Sequence, residues 1–370
     1  MKKIPMFKVF IPKTVNKEII KTLKSGSLSE GPKVKKFQKL ISNFIGNKNT
    51  VLFNSCTSAL TAAYKISGIG LNTEVITTPL TCVAANMPIL SLGAKPVWCD
   101  VNPKTGMMDV TKIEKLITNK TRAIVVLHKD GIPSEIDKII KIANKFNIKV
   151  IEDAAHIFGG EIKKKKIGNH GDFIAFSFQA VKQINTSDGG ALICKNKKDF
   201  DEAKKIKWLG IDRDKRKKNK NIWLNDIKTI GTKSNMNDLS ATIGIEQMKY
   251  VKKILHKYNQ NGKYFDKMLN NIGDVELIKK DINNFNTYWV YSFLSKKKTL
   301  IEQKLRKSGI DSFQVHPRND KYSIFKKYRK KLKNLDKFCK KEVNIPCGWW
   351  INPKDKLKIV NIIKSVFING

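Results

Sequence analysis

The residues from about 50 to 195 alternate between short apolar runs and segments with amphipathic spacing. Residues 134–145 carry isoleucines at helical spacing, and another helical pattern opens at Ala59. The apolar or β-branched runs predict strands at residues 50–53, 74–78, 95–100, 123–128, 149–153, 173–178 and 190–194. Strands that alternate with helices predict a mostly parallel sheet with helices on both faces.

The pattern changes after about residue 195. Residues 200–260 have helical patterning and are very basic, and the run at 213–220 is expected to be exposed. Beyond residue 275 the pattern predicts a strand at 287–293 and helices at 298–308 and 353–368. This mixture of short strands and helices indicates a second, smaller α/β unit.

The chain is 370 residues long, which at about 100–200 residues per domain predicts more than one domain. We assign residues 1–245 to a large domain that includes an N-terminal arm. Residues 246–370 then form a small C-terminal domain. The predicted fold class is α/β, with a mostly parallel sheet in the large domain.

The charge of the chain raises the question of a nucleic-acid partner. The formal net charge is +40, from 72 basic and 32 acidic residues. Only six of the basic residues are arginines, which leaves 66 lysines spread along the whole chain. Because arginine is the side chain suited to bidentate recognition of phosphates and bases, this excess favours a compositional bias. We expect no specific nucleic-acid partner, and a lysine-rich nucleic-acid-binding protein is the alternative from a different class.

Other sequence features argue against a membrane protein or a metal protein. No run approaches 18 apolar residues, and the basic N-terminus is not followed by an apolar signal segment. The six cysteines form no C-x-x-C pair, and the five histidines lack zinc-ligand spacing. We expect a cytoplasmic protein with reduced cysteines, no membrane partner and no metal.

Three polar features lie where predicted strands end. The turn at residues 54–58 joins a strand to a helix N-terminus, where N–H groups and hydroxyls can hold a phosphate. Asp153 ends another strand, and Lys182 follows a third in an apolar neighbourhood. Each alone also fits an ordinary cap, a surface carboxylate or a solvated lysine. Together they match what pyridoxal phosphate needs: a phosphate cup, a carboxylate for the pyridine nitrogen and a desolvated lysine amine.

Nearly end to end, the chain resembles the DegT/DnrJ/EryC1/StrS sugar aminotransferases, a group of fold-type I pyridoxal-phosphate enzymes that includes perosamine-synthase-like members. The most specific matches are Glu152-Asp153-Ala154-Ala155-His156 and Lys182 before Asp188-Gly189-Gly190. Further ordered matches lie at residues 23–37, 54–60, 77–81, 168–178 and 231–244. Residues 316–320 and 346–350 resemble C-terminal motifs of the nucleotide-sugar branch.

The resemblance implies roles for individual residues. Lys182 would bond covalently to the cofactor and carry the proton, Asp153 would pair with the pyridine nitrogen, and His156 would lie near the ring hydroxyl. The implied phosphate contacts are Cys56, through its backbone N–H where glycine is common, together with Thr57 and Ser177. Lys233 stands where an asparagine usually reaches the neighbouring subunit's cofactor phosphate. Cys82 stands where many members have an aromatic residue on the ring. The candidates for sugar or nucleotide contact are His316 and Arg318, within residues 316–320, and the loop at 26–31.

The implied activity is transfer of an amino group to a keto group of a nucleotide-linked deoxysugar. By family analogy the amino acid donor is glutamate, and the enzyme is a homodimer whose active sites both subunits complete. The alternatives within the fold are a pyridoxal-phosphate dehydratase and a regulatory pyridoxal-phosphate protein. Related dehydratases have histidine in place of the lysine, so Lys182 favours transamination.

Overall fold

A computed structural model of the protein describes residues 3–214 and 226–368. Its centre is a seven-stranded sheet with the spatial order β1-β9-β8-β5-β4-β2-β3. The strands of this sheet are β1 (Thr50–Phe53), β2 (Glu74–Thr77), β3 (Lys95–Trp98), β4 (Thr121–Leu127), β5 (Lys149–Asp153), β8 (Phe173–Ser177) and β9 (Gly190–Cys194). Strands β6 (Glu161–Ile162) and β7 (Lys165–Lys166) form a separate hairpin. All seven predicted strands are confirmed, with ends that differ by no more than two residues.

The central sheet is mostly parallel, as predicted. Strand β9 alone runs against its neighbours, and it pairs with β1 on one side and β8 on the other. The carboxyl ends of the other six strands therefore lie along one edge. At this edge Asp153, the last residue of β5, pairs with Ala175, two residues before Ser177 at the end of β8. The arrangement confirms the predicted α/β fold class.

Helices cover both faces of the central sheet because its strands alternate their buried side chains between the two faces. In β4, for example, Ile124 and Val126 pack into one core cluster, and Ala123 and Val125 pack into the other. The first face is covered by α2 (Pro32–Ile45), α6 (Ile136–Lys145) and α8 (Asp238–Met248). The second face is covered by α3 (Cys56–Ile66), α4 (Val83–Ser91) and α7 (Lys197–Ile206). The remaining helices before residue 250 are α1 (Val15–Lys24) and the short α5 (Val110–Ile113).

A second, antiparallel sheet lies in the C-terminal part. Its order is β10 (Glu276–Leu277), β11 (Tyr291–Leu294) and β12 (Glu342–Ile345). Its core also takes in Ile4, which bridges to Ile310 and so fastens the N-terminal arm to this unit. The helices of this part are α9 (Val251–Leu269), α10 (Lys298–Lys307), α11 (Lys333–Lys341) and α12 (Pro353–Ile368).

The strand predicted at 287–293 is wrong in its first half, because β11 begins only at Tyr291. The residues before it turn away from the sheet, with Tyr288 at φ 41°. Thr287 donates its N–H to the Gly131 carbonyl at 2.8 Å. A β-carbon on Gly131 would lie 2.6 Å from the Tyr288 nitrogen, so the two backbones meet only because this residue is glycine.

The helical prediction for residues 200–260 is also partly wrong. Between α7 and α8 the described residues are turns and extended backbone, fastened by a bridge between Trp208 and Lys233. Residues 215–220 of the basic run lie outside the described residues. No helix within 3–214 or 226–368 is long and apolar enough to cross a membrane.

Candidate active site at the carboxyl edge of the sheet

Lys182 lies in the loop after β8, half-buried beneath an indole ring. Its Nζ is 3.6 Å from the centre of the Trp289 ring, a cation–π distance. The ring is fixed in turn, because Trp289 Nε1 donates to the Val181 carbonyl at 2.9 Å. Burial lowers the pKa of Lys182 to about 8, although the carboxylate of Asp153 opposes that shift. The site therefore contains an amine that loses its proton far more easily than an ordinary lysine.

This lowered pKa predicts that Lys182 stands out from the other lysines in chemical labelling. At pH 7.5 about a quarter of its amine would be neutral, against about 0.1% for a lysine with the usual pKa of about 10.4. In protein freed of its cofactor, we expect an amine-selective acylating reagent to modify Lys182 first, with a rate that rises through a midpoint near pH 8. Peptide mass spectrometry would measure this, with the exposed Lys195 in the same digest as control. Equal labelling of the two lysines at pH 8 would contradict the predicted pKa.

Asp153 ends β5 as a buried carboxylate whose charge is offset by few hydrogen bonds. One oxygen accepts the Ala155 N–H at 3.1 Å, and no other hydrogen bond to the carboxylate occurs among the described residues. Burial raises its pKa, although Lys182 and His128 pull the pKa down through their charges. The neighbouring carboxylate of Glu152 is instead well satisfied, since His128 Nε2 bonds to it at 2.7 Å. Asp153 thus has a free oxygen that can serve a cationic ligand atom.

His156 is held on every side. Its ring stacks on Trp289 with centres 4.0 Å apart, and its Nδ1 accepts the Asp130 N–H at 3.3 Å. Its carbonyl accepts hydrogen bonds from Gln183 at 2.7 Å and Thr287 at 3.2 Å. Burial, with the nearby charge of Lys182, lowers the pKa of His156 well below its usual value. The imidazole is therefore neutral at physiological pH.

The predicted phosphate turn is a helix N-terminus with free donors. Ser55 caps α3, and its hydroxyl accepts the Ser58 N–H at 3.1 Å. The N–H groups of Cys56 and Thr57 have no partner among the described residues. Burial raises the pKa of the Cys56 thiol well above its usual value, so this side chain brings no charge. Two free N–H groups and the helix dipole suit an anion here.

Ser177 is connected to the same helix N-terminus through Gly190, which contacts both. It ends β8 directly opposite Gly190 of β9. A β-carbon on Gly190 would lie only 2.5 Å from the Cys56 nitrogen, so the start of α3 rests against this strand. The Ser177 hydroxyl accepts the Gln179 N–H at 3.3 Å and can still donate its own proton. The structure therefore brings together the three predicted phosphate residues.

This close contact predicts a large effect for Gly190→Ala. The added methyl group would push the start of α3 away and spoil the aim of its N–H groups. We expect at least about tenfold weaker pyridoxal-phosphate binding, with about 1–3 kcal/mol lost from the free energy of unfolding. Absorbance titration with the cofactor and urea denaturation measure the two effects. Gly70→Ala is the control, since its β-carbon meets nothing closer than the Leu92 oxygen at 3.9 Å. Unchanged affinity in Gly190→Ala would contradict the predicted cradle.

His316 lies in the site, whereas Arg318 has other partners. The His316 Nε2 is 3.0 Å from the His156 Nε2, and the angle between the planes of the two rings is 7°. The segment is fastened by Asn319, whose N–H bonds to the Pro79 carbonyl at 2.8 Å.

The Arg318 guanidinium is bound to Asp320 through two hydrogen bonds of 3.0 and 2.7 Å, and its third nitrogen bonds to Asp336. Within this chain Arg318 therefore ties two elements together, and its contact with substrate stays a prediction.

Lys233 is exposed and packs over an indole ring. Its Nζ lies 3.1 Å from the centre of the Trp208 ring, and Arg213 lies over the same ring at 4.4 Å. Arg213 in turn bonds to Glu30 at 3.3 Å. The loop at 26–31 likewise has structural contacts, since Asp238 accepts the N–H of Gly31 at 2.9 Å. The chain next to Lys233 reaches the predicted phosphate turn, since the Asn54 N–H donates to the Ser234 carbonyl at 2.8 Å.

Sequence reasoning missed several residues of this site, above all Trp289 and Asp130. Trp289 was placed inside a predicted strand, and its aromatic character alone gave no signal of a site. Asp130 belongs to a buried ion cluster in which Lys129 bonds to the carboxylates of Asp130 and Glu342. The signal for it was the charged pair Lys129-Asp130 just after the predicted strand at 123–128, where burial demands a partner. Ser292 completes the cluster with a 2.6 Å bond to Asp130.

The residues present fit pyridoxal phosphate. The buried Asp153 oxygen without a partner suits a protonated pyridine nitrogen, and the free N–H groups at the start of α3 suit the phosphate. Lys182 supplies the amine for the aldehyde. Among the described residues, no group of three or more His, Cys, Asp or Glu side chains could hold a metal ion.

Comparisons with known proteins agree with this geometry. The model of the DegT/DnrJ/EryC1/StrS aminotransferase family matches residues 10–364. The UDP-4-amino-4,6-dideoxy-N-acetyl-beta-L-altrosamine transaminase of Campylobacter jejuni subsp. jejuni serotype O:23/36 (strain 81-176) is 34% identical over 361 residues, which cover 94% of this chain and 93% of that protein.

Solved structures resemble the whole chain. The sugar aminotransferase CalS13 from Micromonospora echinospora has a TM-score of 0.93 at 30% identity, covering 98% of this chain and 99% of its own. Spr1654 from Streptococcus pneumoniae has a TM-score of 0.89 at 25% identity, covering 99% and 98%. It has been solved in a PLP-form and a PMP-form.

A lysine, a carboxylate and a helix N-terminus at the carboxyl edge of a mostly parallel sheet match the site of a fold-type I pyridoxal-phosphate enzyme. The chain belongs to the DegT/DnrJ/EryC1/StrS aminotransferase family. Pyridoxal phosphate is the cofactor of this family, so the resemblance and the cofactor drawn from the sequence are both confirmed. The comparisons favour neither the dehydratase nor the nucleic-acid-binding alternative.

Proposed function

We propose that this protein transfers an amino group from an amino acid to a keto group of a nucleotide-linked deoxysugar, using pyridoxal phosphate. The observation that carries the proposal is the desolvated Lys182 amine beside the unpaired Asp153 carboxylate, at the edge where α3 offers free N–H groups. Relatives whose names specify UDP- or dTDP-linked amino sugars support the sugar-nucleotide substrate.

Each residue of the site has a proposed task in binding. The N–H groups of Cys56 and Thr57 and the hydroxyl of Ser177 hold the cofactor phosphate. The free oxygen of Asp153 pairs with the pyridine nitrogen and keeps it protonated. His156, neutral and fixed against Trp289, lies beside the cofactor ring. When bound, pyridoxal phosphate supplies an electron sink for the carbanion that forms at the donor's α-carbon.

Lys182 has the proposed task of moving the proton. Its pKa of about 8 leaves a useful fraction of neutral amine at physiological pH, so Nζ can accept the α-proton of the donor. The same Nζ, once protonated, can give that proton back at the next carbon. Trp289 excludes water from one side of Nζ, which protects the proton from exchange with solvent. The second half of the cycle runs the same proton transfers in reverse with the keto sugar as acceptor.

We further propose a cytoplasmic homodimer with glutamate as donor. Lys233 is exposed over the Trp208 ring, one residue before Ser234, whose carbonyl accepts the Asn54 N–H of the phosphate turn at 2.8 Å. That position suits a contact with the cofactor phosphate of a second copy. The division into a large domain of residues 1–245 and a small domain of 246–370 follows the two sheets and is part of the same proposal. His316 is proposed to contact the sugar substrate.

The test is amination of a panel of nucleotide-linked keto sugars with glutamate. The purified protein, loaded with pyridoxal phosphate, is expected to absorb visible light and to form an amino sugar from at least one 4-keto or 3-keto substrate, as seen by mass spectrometry. A protein that gains no visible absorbance with added cofactor would refute the proposal. DNA binding that disappears at physiological salt would indicate general charge attraction only.

A further inference from the structure

His156 and His316 meet through the same ring nitrogen, which creates a question of proton placement. Their Nε2 atoms are 3.0 Å apart. Two unprotonated ring nitrogens at that distance would repel each other through their lone pairs, so one of the two Nε2 atoms must carry the hydrogen. The geometry around the pair decides which one.

The Asp130 backbone settles the tautomer of His156. The Asp130 N–H points at His156 Nδ1 from 3.3 Å, so Nδ1 must accept and cannot carry a hydrogen. A neutral imidazole has one N–H, which leaves Nε2 as the protonated nitrogen of His156. His156 Nε2 therefore donates to His316 Nε2. By the same rule the single hydrogen of a neutral His316 lies on its Nδ1.

Asp130 is itself held rigidly in the conformation that this contact needs. It has a left-handed backbone with φ 56°, which is rare outside glycine. Its carboxylate is bound by Lys129 and by the Ser292 hydroxyl at 2.6 Å, and Lys129 bonds also to Glu342 of β12. The buried ion cluster thus fixes the backbone N–H that orients the two histidines.

The Nδ1 of His316 is the last nitrogen in the series of hydrogen bonds that runs from the Asp130 N–H through His156 to His316. Its Nδ1 has no hydrogen-bond partner within residues 3–214 and 226–368, and the ring is half-buried beside Lys182 and Trp289. Burial, with the charge of Lys182, lowers the pKa of His316 to about 3, which agrees with a neutral ring. A neutral N–H in such a place suits a carbonyl or hydroxyl oxygen of a sugar.

We propose that Asp130, through its backbone N–H, sets one direction of hydrogen bonding through His156 to His316, so that His316 Nδ1–H is the donor presented to the sugar substrate. Asp130 and His156 are positioning residues in this scheme, and His316 is the residue in contact. The contact with a sugar rests on the proposed function, whereas the direction of the hydrogen bonds does not.

Nitrogen NMR of the purified protein labelled with ¹⁵N-histidine tests the direction. We expect His156 to show an unprotonated Nδ1 and a protonated Nε2, and His316 to show the reverse. In His316→Gln, His156 should keep its tautomer because the Asp130 N–H remains. In His156→Asn, whose amide oxygen can still accept that N–H, His316 should become a mixture of tautomers. A protonated Nδ1 on His156 in the unmodified protein would overturn the proposal without affecting the proposed function.

Two amide substitutions at His316 test the contact with substrate. An asparagine amide nitrogen overlays Nδ1 of histidine, whereas a glutamine amide overlays Nε2. We expect kcat/KM for the keto sugar to fall about tenfold further in His316→Gln than in His316→Asn. The glutamate half-reaction should fall less than the sugar half-reaction in both variants. Equal losses in the two variants would overturn the donor role of Nδ1. If no keto sugar is aminated by the unmodified protein, the proposed function fails while the NMR result stands.

Discussion

Replacement of Lys182 by alanine is expected to remove transamination, with a loss of at least about 10³-fold in kcat. The physical reason is that this amine, alone among the lysines described at the sheet edge, combines a strongly lowered pKa with an electrostatic interaction with the buried Asp153 carboxylate. No other nucleophilic amine is expected to take over, since Lys129 is held in an ion cluster that raises its pKa. Single-turnover spectroscopy with the donor amino acid would measure the loss.

Lys182→Arg separates the chemistry of the amine from its charge. A guanidinium stays protonated at every physiological pH, so this variant keeps a cation near Trp289 and loses the proton carrier. We expect Lys182→Arg to be as inactive as Lys182→Ala. The exposed Lys195, which lies just after β9, is the matched control, and Lys195→Ala should retain the activity of the parent. Transamination by Lys182→Arg above about a tenth of the parent rate would contradict the role of the amine.

The central sheet could be predicted from sequence because its strands are buried on both faces. Strand β4, for example, is apolar without interruption from Ala123 to Leu127, and such a continuous run is a strong local signal. Helix α4 gave no comparable signal, since it is apolar on all sides and contains Pro88. Periodicity identifies a helix only where one face meets water.

The site could be predicted only where its residues follow the ends of strands. Asp153, Lys182 and the start of α3 were found in this way because the topology of a parallel sheet collects its carboxyl ends. Ser177 and His156 were named only because the family resemblance implied them. Trp289 and Asp130 could not be found, since their roles depend on backbone turns that only tertiary contacts create. The Gly131 contact with Tyr288, for example, joins residues more than 150 positions apart.

Arg318 illustrates a different limit of the sequence argument. The motif at residues 316–320 predicted that the Arg318 cation lies near the site, but the sequence does not show which carboxylates neutralise its charge. Here Asp320 lies two residues away and Asp336 lies at the start of α11, so the guanidinium is fully engaged within its own unit. Its neighbour His316 has no such partner and faces Trp289. Two residues of one motif thus have different surroundings.

Asp153→Asn is expected to lower activity and raise stability at once. The amide cannot hold a proton on the pyridine nitrogen by charge, so we expect a loss of about 10²–10³ in kcat. In the protein without cofactor, however, the carboxylate is buried with one hydrogen bond and a raised pKa. A carboxyl group whose pKa is higher in the folded state disfavours folding once it ionises, and that cost is relieved as the pH falls.

The sign of the stability change follows from that raised pKa. At pH 7 the neutral amide removes the ionisation cost while its oxygen still accepts the Ala155 N–H. We therefore expect the free energy of unfolding of the cofactor-free protein to rise by about 0.5–2 kcal/mol, as urea denaturation would measure. This gain should shrink as the pH is lowered and the parent carboxylate takes up its proton.

Asp100→Asn is the matched control with the opposite sign. Burial opposes its charge, but hydrogen bonds from Lys112 and from the N–H groups of Asn334 and Leu335 hold the pKa of Asp100 below its usual value. Loss of that charge should destabilise the protein by about 1–3 kcal/mol at pH 7. A fall in stability in both variants would show that Asp153 already has a counter-charge in the cofactor-free protein. The opposite signs expected here instead identify Asp153 as a carboxylate that the fold holds ready for a cationic ligand atom.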